Sequence, residues 1–343
     1  MGGEHTPVGC VYRTVGWGWE RCVDVMGDKG LSESRTPLSP IQRHKRWLIL
    51  AAWILILIPL LTQVSHPAPP IGEPVPPVPT PSSRSLIVLD LNILHGYPSS
   101  AYLPQRLDIL QNQLDRLHPD VVFLQEVPWY AKTGLVAQRL ADDRYAWLYA
   151  RANGNRHLIR FEEGEAILSR YSLTAWETYE LFPQARPFEH RIVMHAIAHL
   201  PAGDLHLFVV HLTDKEIFFN KKQAANLYRY VEETAGRHSA LIAGDFNALP
   251  KSPSIRQLKG WHDLFAEAHP RAQGYTCCVD KVTDRVVTPS KRIDYIFYRP
   301  GPDGPRVELQ DIHLVFTHPF ATPKGRLWLS DHFGLLAHLI LSP

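Results

Sequence analysis

Eight polar residues able to bind a metal or move a proton recur at the ends of short apolar runs in this 343-residue chain. Asn92 closes SLIVLDLN, Glu126 follows DVVFLQ, His211 follows LHLFVV, and Asp245 and Asn247 close ALIAGDFN. Asp294 interrupts RIDYIFY, and Asp331 with His332 directly precedes GLLAHLIL. A carboxylate inside or just beyond a buried strand is costly unless paired, hydrogen-bonded or bound to metal. Taken singly, each of these residues reads as a strand-end cap; their recurrence is the informative pattern. Carboxylates suit a hard cation such as Mg²⁺, and histidines titrate near neutral pH and exchange protons. The set suits phosphoester hydrolysis, which needs an activated water, neutralised phosphoryl charge and a stabilised leaving oxygen. No G-x-S-x-G signature or Cys/His pair offers a competing covalent nucleophile.

Short, β-branched apolar runs of this kind predict buried strands over 85–92, 120–127, 191–200, 205–212, 240–247, 292–298 and 334–341. Apolar residues at 103, 107, 110, 114 and 117, with Pro104 near the start, predict a helix from Leu103 to Leu117. A second helix is expected over Ile217 to Ala235. Two sheets packed face to face with helices outside would accommodate this many strands.

In chain order the motifs read EV, HLT, GDFN, RIDYIF and SDH. In that order they resemble the endonuclease/exonuclease/phosphatase superfamily, and the resemblance covers residues 85–343. It implies an α+β fold, a four-layer α/β/β/α sandwich of two packed mixed β-sheets flanked by helices. Carried over by position, it implies that Glu126, Asp331 and Asn92 form the metal site, for Mg²⁺ or alternatively Mn²⁺. It implies that Asp245 and Asn247 lie near the attacking water and the scissile phosphate, and that His211 donates to a phosphate oxygen. His332 matches the terminal histidine and Asp294 the carboxylate orienting it; Asp245 and His332 both stand as candidates for the general base. The GEAILSR stretch at 164–170 is a structural match only. Leu94 stands where some nucleases of the superfamily carry a further metal-site aspartate, a departure that points towards the sphingomyelinase and phosphatase branches.

Several further residues have a functional and a plain structural reading. Arg191 shares a strand face with His195 and His199; it suits bidentate phosphate contacts, against a solvated strand face. His95 lines either the cleft rim or a surface loop. Lys291 and Arg292 either attract an anionic substrate or form a surface pair. Trp129 and Tyr130 either pack on substrate or shield a helix start. Cys277 and Cys278 are expected as two thiols, because a bond between neighbours is strained and the spacing is not that of a zinc site. Four cysteines exclude a disulfide scaffold.

Eight of the 29 prolines lie between Ser65 and Ser82. This predicts a polyproline-II-like linker over 65–84, reaching roughly 55 Å if extended. Before it stands the uncharged run from Trp47 to Leu61, 18 residues long if counted to Val64. That is the short end for a bilayer span. Arg43, His44, Lys45 and Arg46 precede it, which favours an inside-facing start. Residues 47–64 are expected to be a signal-anchor, with a cleaved signal peptide or a buried core helix as alternatives. Residues 1–46 read as a short polar tail, with Met26 a second candidate start. The catalytic domain, 85–343, would then lie outside the cytoplasm, or be secreted after cleavage.

The chain is nearly neutral, with 36 Lys/Arg against 34 Asp/Glu; residues 1–82 hold seven and six of these, leaving the remainder at +1. This excludes a strongly basic nucleic-acid coat. The expected function is a membrane-anchored, extracytoplasmic, metal-dependent phosphoester hydrolase acting on a lipid head group or nucleic acid. The alternatives are an extracytoplasmic non-specific endonuclease and a non-catalytic phospholigand-binding module. No protein partner is expected.

Overall fold

The computed structural model describes residues 44–54, 66–78, 83–99, 102–184, 186 and 189–343. Residues 1–43 of the expected tail and 55–64 of the expected anchor lie outside these. Residues 44–54 form a helix, α1, that begins inside the stretch expected as tail; its Trp47, Leu50 and Trp53 side chains are exposed. Among the described residues no helix is long and apolar enough to cross a membrane.

The rest of the chain runs β1 (Ile71–Glu73), β2 (Ser85–Asn92), α2 (Leu103–Leu117), β3 (Val121–Tyr130), β4 (Gly134–Leu135), α3 (Val136–Ala141), β5 (Ala146–Asn155), β6 (Phe161–Ser169) and β7 (Leu173–Glu180). It continues with β8 (Ile192–Leu200), β9 (Gly203–His211), α4 (Ile217–Ala235), β10 (Ala240–Asp245), α5 (Pro253–Arg256), β11 (His262–Asp263) and α6 (Leu264–Ala268). Then follow β12 (Asp294–Arg299), β13 (Arg306–Val315), the hairpin β14 (Phe320–Thr322) and β15 (Gly325–Leu327), and β16 (Gly334–Ser342). Both helices expected from periodicity form over the expected residues.

The strands make two mixed sheets, ordered β1-β5-β6-β3-β2-β16-β13 and β11-β12-β10-β9-β8-β7. Each contains one parallel pair, β2–β3 and β9–β10, joined by a crossover helix, α2 and α4 respectively. The strand period of two divides the apolar residues between layers. Leu86 and Val88, Phe123, Leu207 and Val209, and Ala243 with Ile296 fill the space between the sheets. Leu89 and Leu91 instead meet Leu107 and Leu110 of α2, and Val210 and Ile242 meet Leu227 and Val231 of α4. The result is the four-layer α/β/β/α sandwich.

The proline-rich segment differs from the expected free spacer. Ile71–Glu73 adds an antiparallel edge strand to β5, in register with Trp147–Tyr149. Ala68 N–H donates to the Arg151 carbonyl (3.0 Å), and Leu173 N–H to the Pro74 carbonyl (2.8 Å). Ile71, Gly72 and Glu73 keep their N–H groups, so the prolines flank a pairing stretch instead of preventing one.

A solvated strand face was one reading of Arg191, His195 and His199; His199 is exposed, but His195 is covered. His195 and His206 are buried, with Nε2 of the first 3.0 Å from Nδ1 of the second. Burial and the neighbouring ring push His195 down to about 3, and burial and His238 push His206 down to about 4. Both lie below the roughly 6.5 of an unfolded histidine. The unfolded chain therefore binds more protons as pH falls below that value, and each histidine removes stability at about 1.4 kcal/mol per pH unit. The thermal midpoint should drop between pH 6.5 and 4.5 more steeply in the wild type than in His195→Leu, as followed by circular dichroism.

Candidate active site

The inward-facing positions of the strands are apolar through the core and turn polar at one shared end. On β2 the series Leu86, Val88 leads to Asp90 and Asn92; on β9 Leu205, Leu207, Val209 leads to His211; on β10 Leu241, Ala243 leads to Asp245. On β12 the series Tyr298, Ile296 leads back to Asp294. Strand β3 reaches the same end by a bulge between Leu124 and Val127, where Glu126 takes φ 56°. Gly244 permits the last step: a Cβ there would overlap the Val210 carbonyl of the parallel neighbour.

The groups so delivered interlock. Asn92 Nδ2 donates to Glu126 Oε1 (3.1 Å) and Asp245 Oδ2 (3.2 Å), while its Oδ1 accepts from Leu94 N–H (3.0 Å). Asn92, expected in the metal site, thus orders the Glu126 and Asp245 carboxylates. Asp245 Oδ1 accepts from Asn247 N–H (2.8 Å), and its Oδ2 lies 3.5 Å from His211 Nε2 and 3.8 Å from His332 Nε2. Both Asp294 oxygens meet His332 Nδ1, at 3.0 and 2.9 Å. Arg191 Nη1 lies 3.3 Å from His211 Nδ1. A guanidinium only donates, so Nδ1 accepts from Arg191; Nε2 lies between the Asn247 amide nitrogen (3.2 Å) and Asp245 Oδ2.

These residues floor a cleft of about 740 Å³, walled also by Arg191, Asn153, Glu163, Lys291 and the Cys277–Cys278 pair. The two cysteines are joined as a vicinal disulfide, which corrects the expectation of two thiols. Arg191 has turned into the cleft, away from His195 and His199. His95 is in the site: its Nε2 lies 3.4 Å from Glu126 Oε2, which also accepts from its N–H (3.1 Å). Arg292, by contrast, is buried in a bidentate pair with Asp263 and stacks on Tyr295. Tyr130 donates its hydroxyl to the His95 carbonyl (3.1 Å), and Arg156 lies over Trp129, so both aromatics are structural supports.

Burial and then Asp294 push the Asp245 carboxyl up to about 7, against the pull of His332. Burial would lower His332, but Asp294 and Asp245 overcome it and hold the imidazole well above its ordinary value. Burial followed by the Arg191 charge keeps His211 well below its ordinary value, hence neutral. Burial lifts Asp331 above the usual carboxylate range; His332 opposes this and Glu126 adds to it. Two carboxylates of hard-donor type that repel one another fit a divalent cation. Ser330 Oγ ties Asp331 to β2, lying 2.6 Å from the Asn92 carbonyl and 3.2 Å from Asp331 Oδ1. Donor atoms of Asp245, Asp294 and His332 also cluster within 4.8 Å, but Asp294 commits both oxygens to the imidazole.

A model of the endonuclease/exonuclease/phosphatase family matches residues 91–332. The chain belongs to that family. It is a metal-dependent phosphoric ester hydrolase, which displaces the non-catalytic alternative. A comparison with curated proteins returns no match. Among solved structures, humanised D. rerio TDP2 aligns at TM-score 0.59 and 21% identity, covering 75% of this chain and 99% of that one. D. rerio TDP2 complexed with a single-strand DNA product aligns at 0.59 and 20%, covering 74% and 98%. A family protein from Leptotrichia buccalis aligns at 0.58 and 18%, covering 74% and 99%. At these identities the likeness is one of fold.

Within this family site, three residues escaped the sequence reading. Glu163 and Glu165 share the inward face of β6 with Ile167, an alternation visible in FEEGEAILS. Burial and Glu163 raise Glu165 well above the carboxylate range. Arg106, fully buried on α2, donates to the carbonyls of Ile93 (2.7 Å), Leu94 (2.8 Å) and Leu329 (3.1 Å). It pins the loop after β2 to the segment that carries Asp331; its place three residues after Leu103 and four before Leu110 sets it on the apolar stripe, a signal that could have found it. Arg106→Ala strands three carbonyls and should cost about 3–5 kcal/mol in a denaturation titration.

Proposed function

We propose that the chain is a membrane-anchored, extracytoplasmic Mg²⁺-dependent hydrolase of phosphodiesters in lipid head groups. The observation that carries the reaction is the meeting of Asn92, His211 and His332 on Asp245 Oδ2 at the cleft floor. Support for the location and substrate comes from the apolar run to Val64 with its preceding basic cluster.

Glu126 and Asp331 would hold Mg²⁺, or Mn²⁺ in its place, with Asn92 fixing Glu126. The ion, when bound, neutralises phosphoryl oxygens and acidifies water. Asp245 Oδ2 takes a proton from the attacking water as the new P–O bond forms. The His211 Nε2–H and the Asn247 amide donate to a phosphoryl oxygen, with Arg191 setting the His211 tautomer and offering its own charge to the phosphate. His332, aligned by Asp294, gives a proton to the leaving oxygen as its bond to phosphorus breaks. The chain thus supplies base, acid and oxyanion donors from four neighbouring strand ends and one loop.

A second reading, an extracytoplasmic endonuclease, is favoured by a separate cavity of about 710 Å³ lined by Arg285, Lys324 and Arg326. Three cations beside one cavity suit a polyanion, whose binding would weaken steeply with salt.

Asp245→Asn and His332→Asn should each lower Mg²⁺-dependent turnover by about 10²–10⁴-fold. The assay uses sphingomyelin, glycerophospholipids, inositol phosphates, plasmid DNA and RNA in parallel. Full activity in either variant contradicts the mechanism; cleavage of DNA or RNA alone contradicts the lipid substrate. Glu126→Gln should abolish the rise in thermal midpoint that Mg²⁺ gives the wild type.

A further inference from the structure

One rim of the cleft is assembled around the first turns of α4. Asn220 Nδ2 donates to the carbonyls of Thr213 (2.7 Å) and Phe246 (2.9 Å). Gln223 Nε2 donates to the Pro183 carbonyl (3.0 Å), and Phe182 N–H to Asn226 Oδ1 (3.3 Å). Gln257 Nε2 reaches the Lys221 carbonyl (2.8 Å). These bonds bring the loops after β7, β9 and β10 against one helix end, and Lys215 and Leu249 from this rim line the cleft itself.

Four large apolar side chains of the rim are exposed: Phe182 by 50%, Ile217 by 70%, Phe218 by 59% and Leu249 by 51%. One exposed apolar residue needs no explanation, but four gathered at a cleft mouth mark a contact surface. Between 214 and 222 three lysines stand against Asp214 and Glu216; Lys215 pairs with Asp214 (2.6 Å), which leaves Lys221 and Lys222 as the rim's cations. Lys221 and Lys222 are exposed, and Lys222 Nζ lies 5.8 Å from the Phe218 ring centre. Apolar side chains fringed by lysine stems are the composition of an interfacial membrane contact.

The start of the proline-rich segment lies near the same cleft. The His66 carbonyl accepts from Arg151 Nε (3.2 Å), and its ring lies 5.5 Å from that of His190. His190 N–H is bonded to Asn153 Oδ1 (2.7 Å), and Asn153 lines the cleft. His66 therefore lies beside a residue that supports the cleft wall.

We infer that the rim formed by Phe182, Ile217, Phe218 and Leu249, with Lys221 and Lys222, docks into an anionic phospholipid surface and feeds the cleft from it. The inference rests on the lipid-phosphoester reading above and supplies its route of substrate access.

The test uses the full chain in vesicles of phosphatidylcholine, phosphatidylglycerol and sphingomyelin. The added fluorescence of Phe218→Trp, relative to the parent protein, should be quenched by brominated phospholipid. The double variant Ile217→Ser/Phe218→Ser should hydrolyse vesicle phospholipid about tenfold or more slowly, yet cleave water-soluble bis(4-nitrophenyl) phosphate at the wild-type rate. Absence of quenching, or equal loss on both substrates, overturns the docking. A wild type that cleaves plasmid DNA and no vesicle lipid overturns the substrate reading instead, while the quenching still decides whether the rim meets the bilayer.

Discussion

The structure depends on keeping a group of carboxylates charged or paired at the end of a dry inter-sheet core. Asp90, Asp245, Asp294 and Glu165 are buried on inward-facing strand positions. An isolated carboxylate there would neutralise instead of staying ionised. Each answers this differently. Asp294 is matched to His332, Asp245 is surrounded by Asn92, Asn247, His211 and His332, and Asp90 accepts from Gln125 Nε2 (2.9 Å). Glu165 has an oxygen without a hydrogen-bond partner and is pushed towards the neutral form. The same burial that makes the cluster costly makes it useful, since charges in a water-poor cleft act strongly on one another and on a phosphate.

The fold meets this constraint by ending strands of both sheets at one level and tying the loops beyond them. Arg106 of α2 does so for the loop after β2 and the approach to Asp331. Asn220 and Gln223 of α4 do so for the loops after β9 and β10. Each crossover helix therefore lends a buried polar side chain to the site in addition to its apolar face. Loss of either tether would leave the apolar core intact and the site displaced, which is why these residues belong to the functional account.

Residues at the ends of apolar runs were legible because burial gives a continuous apolar signal that a lone Asp, Asn or His interrupts. Edge strands were not. β7 exposes Thr174, Ala175, Trp176 and Glu177, and β13 alternates with Arg306, Glu308 and Gln310 facing solvent. A half-exposed edge strand of this kind lacks the continuous apolar run. β5 was missed because Asn153, Gly154 and Asn155 close it like a loop. Glu163 and Glu165 were hidden for a related reason: adjacent acids read as surface until β6 is known to be covered on both faces. Arg106 lies on the apolar stripe of α2 but its charge reads as surface, and the pairing of Cys277 with Cys278 leaves no periodic trace. The proline count marked a boundary correctly as non-helical, but composition alone does not distinguish a free spacer from one laid along a sheet edge.

The proposed mechanism requires that Glu126 and Asp331 hold a divalent cation. Electron paramagnetic resonance titration of the full chain with Mn²⁺ measures this directly. The account predicts saturable binding that Mg²⁺ displaces and that Glu126→Gln with Asp331→Asn abolishes. Absence of saturable binding in the wild type, or binding unaffected by that double substitution, would contradict it.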